Sequence, residues 1–500
     1  MSNIRVILRN IFSNWVAYFV SVVIGLVLSP IVVHSLGNDL YGIWTIIVSF
    51  SGYYGLVNFG ITPSISYYLS HYYARDDVEQ INRVASTAQT TLTLLSLLVM
   101  LIALPLAFWG GAVFSIEPQH AEEFTWAVLI MALTFVLGFL FAVYQSFFVV
   151  LQRYDLRNAV QISTDILRAL LIFLALKNGY KIITISLITC ACSLATYSLY
   201  ALIISRMYPQ LRLRIADASR QTLGMIMNYG VFALLGEMAR QILFYSSAIL
   251  IGIFLNTAMV TFFAIAGNLI EYARNFLGTM TRVFFPVAAQ SHSRAERESL
   301  QTLFLEGTKY SFLITILLIA GFITMGKQFI VLWMGPDYEQ SYRVLFILSI
   351  GYVPYFLSYT SHQVMLGMKQ VAFVAKANMM AAIVSIVVSV LLIHDFGIEG
   401  VAMGTMAALL VNSWYVIKRC MDLLGVCLRL FVGKVILGPM ISVMPALFLG
   451  FFFKTNLYAD SWHKFLIQMV IMTCLFIVAA GFICIDRRLR ARIIRAVFPG

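Results

Sequence analysis

The sequence predicts an all-α polytopic membrane protein of about 14 transmembrane helices, arranged as two six-helix lobes around a central cavity plus two C-terminal helices. Three observations carry this. Charged residues make up only 11% of the chain and apolar residues 61%, against roughly a quarter charged in soluble domains. Mean hydropathy is +0.89. Apolar runs of about 20 residues, the length that crosses a bilayer core of about 30 Å, follow one another from end to end. The short alternating segments of a transmembrane β-barrel are missing.

The elements follow in order. "MSNIRVILRNIFSNW" leads into a run too long for a signal-peptide core, with no small-residue cleavage pattern after it, and is read as an uncleaved first span. Spans are expected at 13–34, 41–68, 85–109, 124–150, 158–177, 182–204, 224–254, 259–284, 309–333, 343–366, 377–394, 399–417, 435–453 and 465–484. Lys and Arg sort sharply between the two sets of loops. Twenty-five, among them Arg75, Arg83, Arg212, Arg214 and the tail "DRRLRARIIR", fall on one side and six on the other, with Arg168, Arg240 and Arg274 inside spans. The positive-inside rule then puts both termini in the cytoplasm. Much of the +12 net charge is this topology signal. Its expected contact is anionic membrane lipid and not nucleic acid.

The chain reads as duplicated. "SHYYARDDVEQINRVASTAQ" from Ser70 and "QSHSRAERESLQTLFLEGT" from Gln290 each follow a span and lead into the next. "LQRYDLRNAVQISTDIL" from Leu151 resembles "LGMKQVAFVAKANMMAAIV" from Leu366, with Asn158 and Asn378 in matching places. Six spans per repeat makes the repeats parallel, a frame used for alternating access. The expected domains are 1–210, 211–430 and a 431–500 segment holding the two extra spans and the basic tail.

Three acid–arginine pairs at spacing three lie inside spans: Asp165 with Arg168, Glu237 with Arg240 and Glu271 with Arg274. Ionisable groups in a membrane are costly and mark pathways or partners. Spacing three puts acid and arginine on one helix face. Two readings stand. The pairs neutralise each other and lock helices, or the arginines receive an anion and the carboxylates (charge-pairing or coupling groups) hold them at rest. A diphosphate suits Arg, which is permanently charged and bidentate, better than Lys. Span two adds Tyr53, Tyr54 and Asn58 as candidate sugar contacts, with interface and packing roles as the competing reading. Pro30, Pro63, Pro105, Pro286 and Pro354 are expected to kink spans. The six cysteines and seven histidines form no metal-ligand spacing. No phosphate loop, HExxH or nucleophile elbow occurs. No catalytic residues, metal or cofactor are therefore expected, and the chain is not expected to be an enzyme.

"LSPIVVHSLGNDLYGIWTIIVSFSGYYGLVNFGITPSISYYLSHYYARDD", with Leu-Gly before Tyr-Gly and then Asn-Phe-Gly-Ile, resembles the opening of Wzx-type polysaccharide flippases. "FGIEGVAMGTMAALLV" resembles the same family's Gly-x-x-Gly-x-Ala turn. That family belongs to the multidrug/oligosaccharidyl-lipid/polysaccharide exporter superfamily. The resemblance implies movement of polyprenyl-diphosphate-linked oligosaccharide to the outer leaflet of a bacterial cytoplasmic (inner) membrane, for O-antigen, capsule or exopolysaccharide synthesis. It also implies a polysaccharide polymerase and chain-length proteins as partners, with H+ or Na+ as candidate coupling ions. A peptidoglycan lipid-precursor flippase shares the frame. A multidrug/cation antiporter is the further alternative, and would be expected to carry acids without their arginines.

Overall fold

A computed structural model of the 500-residue chain describes residues 2–58 and 60–484. The C-terminal arginines Arg487 to Arg495 and Phe59 of the Asn-Phe-Gly-Ile stretch lie outside the described residues. The described chain is helical throughout its ordered elements. Two compact units are present, Met1–Thr261 and Phe262–Gly500.

The first unit holds α1 (Ser2–Tyr54), α2 (Ile61–Tyr73), α3 (Val78–Val113), α4 (Pro118–Leu140), α5 (Ala142–Val150), α6 (Tyr154–Lys177), α7 (Ile182–Met207) and α8 (Arg220–Phe254). The boundary falls inside α9 (Thr257–Thr281). The second unit continues with α10 (Phe284–Ser293), α11 (Arg297–Met334), α12 (Gln340–Leu357), α13 (Tyr359–Gly367), α14 (Val371–Leu424), α15 (Leu428–Phe431), α16 (Leu437–Asn456) and α17 (Trp462–Ile483). Among the described residues, eleven stretches are long and apolar enough to span a membrane. Two of them are pairs of helices joined at a glycine in non-helical conformation, Gly37 in α1 and Gly397 in α14. Counting each as two, and adding the 25-residue α9 that carries Glu271 and Arg274, gives the fourteen expected spans.

Three of those spans are not continuous helices, and a fourth, span eight, ends at a break; here the structure departs from the sequence reading. Span two breaks between α1 and α2, where a 3-10 turn Gly55–Asn58 leads to Gly60 at φ 72°. The Asn58 Oδ1 accepts the Gly60 N–H at 2.7 Å and closes the turn. Span four breaks at Phe141, span eight between α9 and α10, and span ten at Ser358. Proline accounts for two of the breaks, whereas Pro30 and Pro105 lie within α1 and α3 without interrupting them. Pro63 and Pro286 each sit third in the new helix. There the missing N–H is harmless, but a helix running through from upstream would lose a bond and meet the ring. Hydropathy averaged over a span does not register such breaks, because a single Asn58 or Ser358 is outweighed by its apolar neighbours.

The breaks fall at corresponding places in the two repeats. α2 packs on α5 in the first unit, and α10 packs on α13 in the second. Left-handed residues agree as well. Asp76 and Ala295, Ser115 and Gly335, Gln152 and Lys369, and Gly179 and Gly397 each recur at about 220 residues. The hydrogen bonds at these turns also match. The Asp77 N–H reaches back to the Tyr72 carbonyl (3.1 Å) as the Glu296 N–H reaches Ser291 (2.9 Å). Asn158 and Asn378 have different partners: Asn158 donates to Ser13 and Asn14 of α1, whereas Asn378 accepts from Asn412.

Packing and repeat boundaries do not coincide. α8, the first span of the second repeat, packs on α1, α2 and α3 in the first unit. The C-terminal pair α16 and α17 packs on α11, and a Cβ at Gly450 would lie 2.6 Å from the Thr324 hydroxyl. The second unit's core includes Phe304, Phe312, Val416, Phe431 and Val443, all buried.

The Leu-Gly/Tyr-Gly stretch has a structural reason. Gly37 adopts φ 75° and separates the first two spans. Five residues on, Gly42 touches the Thr257 backbone carbonyl where any Cβ would collide. The Thr257 and Thr261 hydroxyls donate to Asp39 Oδ1 (3.1 Å) and the Asn38 carbonyl (2.6 Å), so the start of α9 is bonded to this turn. Gly42→Ala is expected to destabilise the purified protein by about 1–3 kcal/mol through overpacking. Gly321→Ala, with open space around its Cβ, should raise stability by up to about 1 kcal/mol. Thermal unfolding of both variants in detergent checks the contrast.

Candidate functional site

All three sequence-predicted pairs form, each between acid and arginine of one helix. Their surroundings differ, and the difference ranks them.

On α9, Arg274 Nη2 donates to Glu271 Oε1 at 3.2 Å. The Arg274 side chain is only 12% exposed, while Glu271 is 43% exposed. Tyr352 and Tyr355 of α12 and Tyr359 of α13 lie within electrostatic range of the guanidinium. These rings form one cluster: Tyr352 and Tyr355 at 5.8 Å between centroids, Tyr355 and Tyr359 at 5.3 Å, and Tyr355 and His362 at 6.2 Å. The break at Ser358 shapes this wall. The Ser358 N–H bonds back to the Pro354 carbonyl (3.0 Å), and its hydroxyl donates to the Tyr355 carbonyl (2.6 Å). His362 Nδ1 is 2.9 Å from the Ser358 carbonyl, which makes it the donor nitrogen. Its buried Nε2 then carries a lone pair and has no hydrogen-bond partner among the described residues.

Sequence reasoning missed this wall, although Pro354 was noted singly. Residues 352, 355, 359 and 362 follow a 3-4-3 spacing, one face of a helix. That regularity, next to a proline, was the available signal.

On α8, Glu237 accepts from Arg240 through both carboxylate oxygens. The Nε bond to Oε2 is 3.0 Å, and Nη2 meets Oε1. Gln241 Nε2 adds a third donor at 2.9 Å. Arg240 is 51% exposed. Gln241 and Tyr245 pack against Gly52 of α1, where a Cβ would stand 3.3 Å from each. Span two therefore does meet the Glu237 cluster, but through Gly52. Tyr54 is only 3% exposed and packs on Phe135 at 5.6 Å between ring centroids. Asn58 spends its carbonyl oxygen on the turn to Gly60. Tyr53 is half-buried beside Phe50.

On α6, Asp165 Oδ1 accepts from Arg168 (2.6 Å) and from Gln161 (3.0 Å). Arg168 faces α7, within electrostatic range of Cys192 and Tyr197. α6 packs mainly on α1 and α7, and α8 on α1, α2 and α3. Arg168 and Arg240 therefore belong to separate helix interfaces of the first unit.

A model of the family described as "Polysaccharide biosynthesis protein" matches residues 7–292 of the chain. The protein belongs to this polysaccharide biosynthesis family. It is 20% identical over 489 residues to the uncharacterized membrane protein EpsK of Bacillus subtilis, covering 95% of both chains. It is 21% identical over 250 residues to the probable low-salt glycan biosynthesis flippase Agl15 of Haloferax volcanii, covering 47% of this chain and 52% of the relative. Its fold is similar to that of a solved lipid II flippase MurJ in an inward closed conformation, with TM-score 0.71 and 15% identity over 93% of this chain and 97% of that one. An inward-facing multidrug resistance MATE family transporter of the MOP superfamily gives 0.68 and 15%, over 81% and 94%. The fold is thus similar to the folds of these two membrane transporters.

Burial predicts unequal costs for removing the arginines. Arg274→Ala deletes a nearly enclosed, charge-assisted contact and should lower stability by on the order of 2 kcal/mol. Arg240→Ala removes a half-exposed pair and should change it by less than about 1 kcal/mol. Thermal unfolding of the two variants in one detergent is the check.

Proposed function

We propose that this membrane protein moves polyprenyl-diphosphate-linked oligosaccharide from the cytoplasmic to the outer leaflet of a bacterial inner membrane by alternating access. It would serve O-antigen, capsule or exopolysaccharide synthesis. The observation that carries the proposal is Arg274, a guanidinium inside a span, paired to a half-exposed carboxylate and walled by three tyrosines. A charge this deep is rarely kept without a partner or a path to serve. The guanidinium is permanently charged and can grip a phosphate through two N–H donors. Glu271 neutralises it while the site is empty. Tyrosine hydroxyls and ring faces suit both phosphate oxygens and sugar rings. Arg240, with its three-donor Glu237 cluster, is a second anion contact in this reading. Arg168 is a third, at its own interface.

The family supports the class of substrate, and the name of the Haloferax relative supports the activity. Cytoplasmic termini follow from the lysine and arginine bias of the loops. With the cell interior negative, each uncompensated negative charge carried outward gains about 2.3 kcal/mol per 100 mV, and inward H+ or Na+ is the candidate exchange. The polymerase and chain-length proteins that would take the product are the implied partners. The acid–arginine pairing found on α6, α8 and α9 favours an anionic lipid over the cationic drugs of the antiporter alternative.

The test is proteoliposome transport of a fluorescent polyprenyl-diphosphate oligosaccharide, with and without an inside-negative potential. Wild type should move the lipid. Arg240→Ala and Arg274→Ala should each abolish movement while still inserting. Arg274→Lys should recover little of it, because a lysine cannot form the bidentate contact. Unimpaired movement in the double alanine variant would remove the anion role of these arginines.

A further inference from the structure

The connection between the two repeats, residues 208–219, runs through a turn, a short extended stretch and a 3-10 helix (Ile215–Asp217), and is held along the first turns of α3. Three α3 side chains bond its backbone. Asn82 Nδ2 donates to the Gln210 carbonyl (3.0 Å), and Asn82 Oδ1 accepts the Arg212 N–H (2.8 Å). The Ser86 hydroxyl donates to the Arg212 carbonyl (3.2 Å) and accepts the Arg214 N–H (3.1 Å). Thr87 Oγ1 accepts the Ser219 N–H (3.0 Å). Asn82, Ser86 and Thr87 thus act as a neighbouring strand would. Fixing the backbone this way leaves the arginine side chains at liberty to do something else.

Between the segment and α3 lies a cavity of about 480 Å³, polar in character, with Arg83, Arg212, Arg214, Glu79 and Asp217 in its wall. Its volume is in the range of a small-ligand site, about 300–1,000 Å³. Arg83 is paired with Glu79 at 3.0 Å. Among the described residues, no salt bridge engages Arg212, Arg214 or Asp217. The cavity therefore offers two cations and one anion that do not neutralise one another. A diphosphate would leave the Asp217 carboxylate facing like charge, which disfavours it. A group carrying one phosphodiester and one ammonium matches both signs.

Depth points the same way. Trp109 of α3 is exposed, as expected of a residue in the aromatic belt at the far membrane surface. From Trp109 back to Arg83 along α3 is about 39 Å at 1.5 Å per residue. A bilayer measures about 40–45 Å with its headgroups. Arg83 and the cavity then lie at headgroup level on the opposite side. Beside the arginines, Ile215 is 81% exposed, an apolar side chain available to the acyl boundary.

We propose that this cavity binds the headgroup of an amine-bearing phospholipid. The Arg212 and Arg214 guanidiniums take the phosphodiester, the Asp217 carboxylate takes the ammonium, and the bound lipid ties the connection between the repeats to the membrane. Only the leaflet, the cytoplasmic one, rests on the orientation proposed above.

The test uses the delipidated full-length protein and native mass spectrometry, with phosphatidylethanolamine, phosphatidylglycerol and inorganic phosphate as probes. Wild type should retain phosphatidylethanolamine in preference to phosphatidylglycerol. The double variant Arg212→Gln/Arg214→Gln should weaken that retention by about tenfold or more. Asp217→Asn should erase the preference between the two lipids while keeping lipid bound. The arginine side chains do not hold the segment, so unfolding temperatures of the variants should match wild type, and this is measured alongside. Equal retention of both lipids by wild type, or undiminished phosphatidylethanolamine on the double variant, overturns the proposal. Displacement of the lipid by inorganic phosphate, with no lipid preference, would assign the cavity to free phosphate and overturn it too. The readout is lipid mass and not transport, so its outcome is independent of what the protein carries.

Discussion

Hydrocarbon offers no hydrogen-bond partner, so every backbone amide and every charge inside it must be answered by the chain itself. That requirement makes the spans helical. It also explains why each intramembrane arginine has a carboxylate three residues earlier on its own helix. Pairing within a helix needs no second element to be in place. Asp165–Arg168, Glu237–Arg240 and Glu271–Arg274 are neutral as units whatever the neighbouring helices do. A protein whose helices shift relative to one another can keep such pairs intact throughout.

The same requirement governs where the helices break. An interrupted helix leaves N–H and C=O groups open, and each break here closes them locally. Asn58 caps the turn at Gly60, and the Ser358 hydroxyl and N–H both return to the preceding turn. In each repeat the segments beyond the breaks pack on each other, α2 with α5 and α10 with α13. The short helices are therefore paired substructures of their own. Their recurrence is stronger support for an internal duplication than apolar similarity, because left-handed turns at Asp76 and Ala295, or at Gln152 and Lys369, do not arise from composition.

Composition and hydropathy made the number of spans legible, and helical spacing made the three charge pairs legible, because both are properties of one helix at a time. What belongs to two helices was not. Tyr352, Tyr355 and Tyr359 read as ordinary apolar-aromatic face until α9 brings Arg274 to them. Tyr54 and Asn58 were marked for chemistry, yet one is packed on Phe135 and the other closes a turn, since type alone does not tell which way a side chain faces. The breaks were hidden because Phe141 and Val283 are as apolar as the helices they interrupt. α8 reads as part of the second repeat, whereas its packing places it in the first unit.

The unequal burial of the arginines bears on how an anion would be handled. A resting carboxylate must be strong enough to make the arginine tolerable in the membrane and weak enough to yield it. At Arg240 the pair is half-exposed, where screening makes the exchange of one anion for another cheap. At Arg274 the guanidinium is enclosed, and the exchange is harder because the lower dielectric strengthens the bond to Glu271. The tyrosines offset this. In the proposed reading their hydroxyls, within electrostatic range of the guanidinium, would accept from it while the partner changes. Glu271 is half-exposed, while the Arg274 side chain is enclosed. In the proposed reading Arg274 is thus the fixed contact and Glu271 the mobile one. An arginine held this way would keep its selectivity for a planar, bidentate anion at the position where an unpaired charge would cost the most.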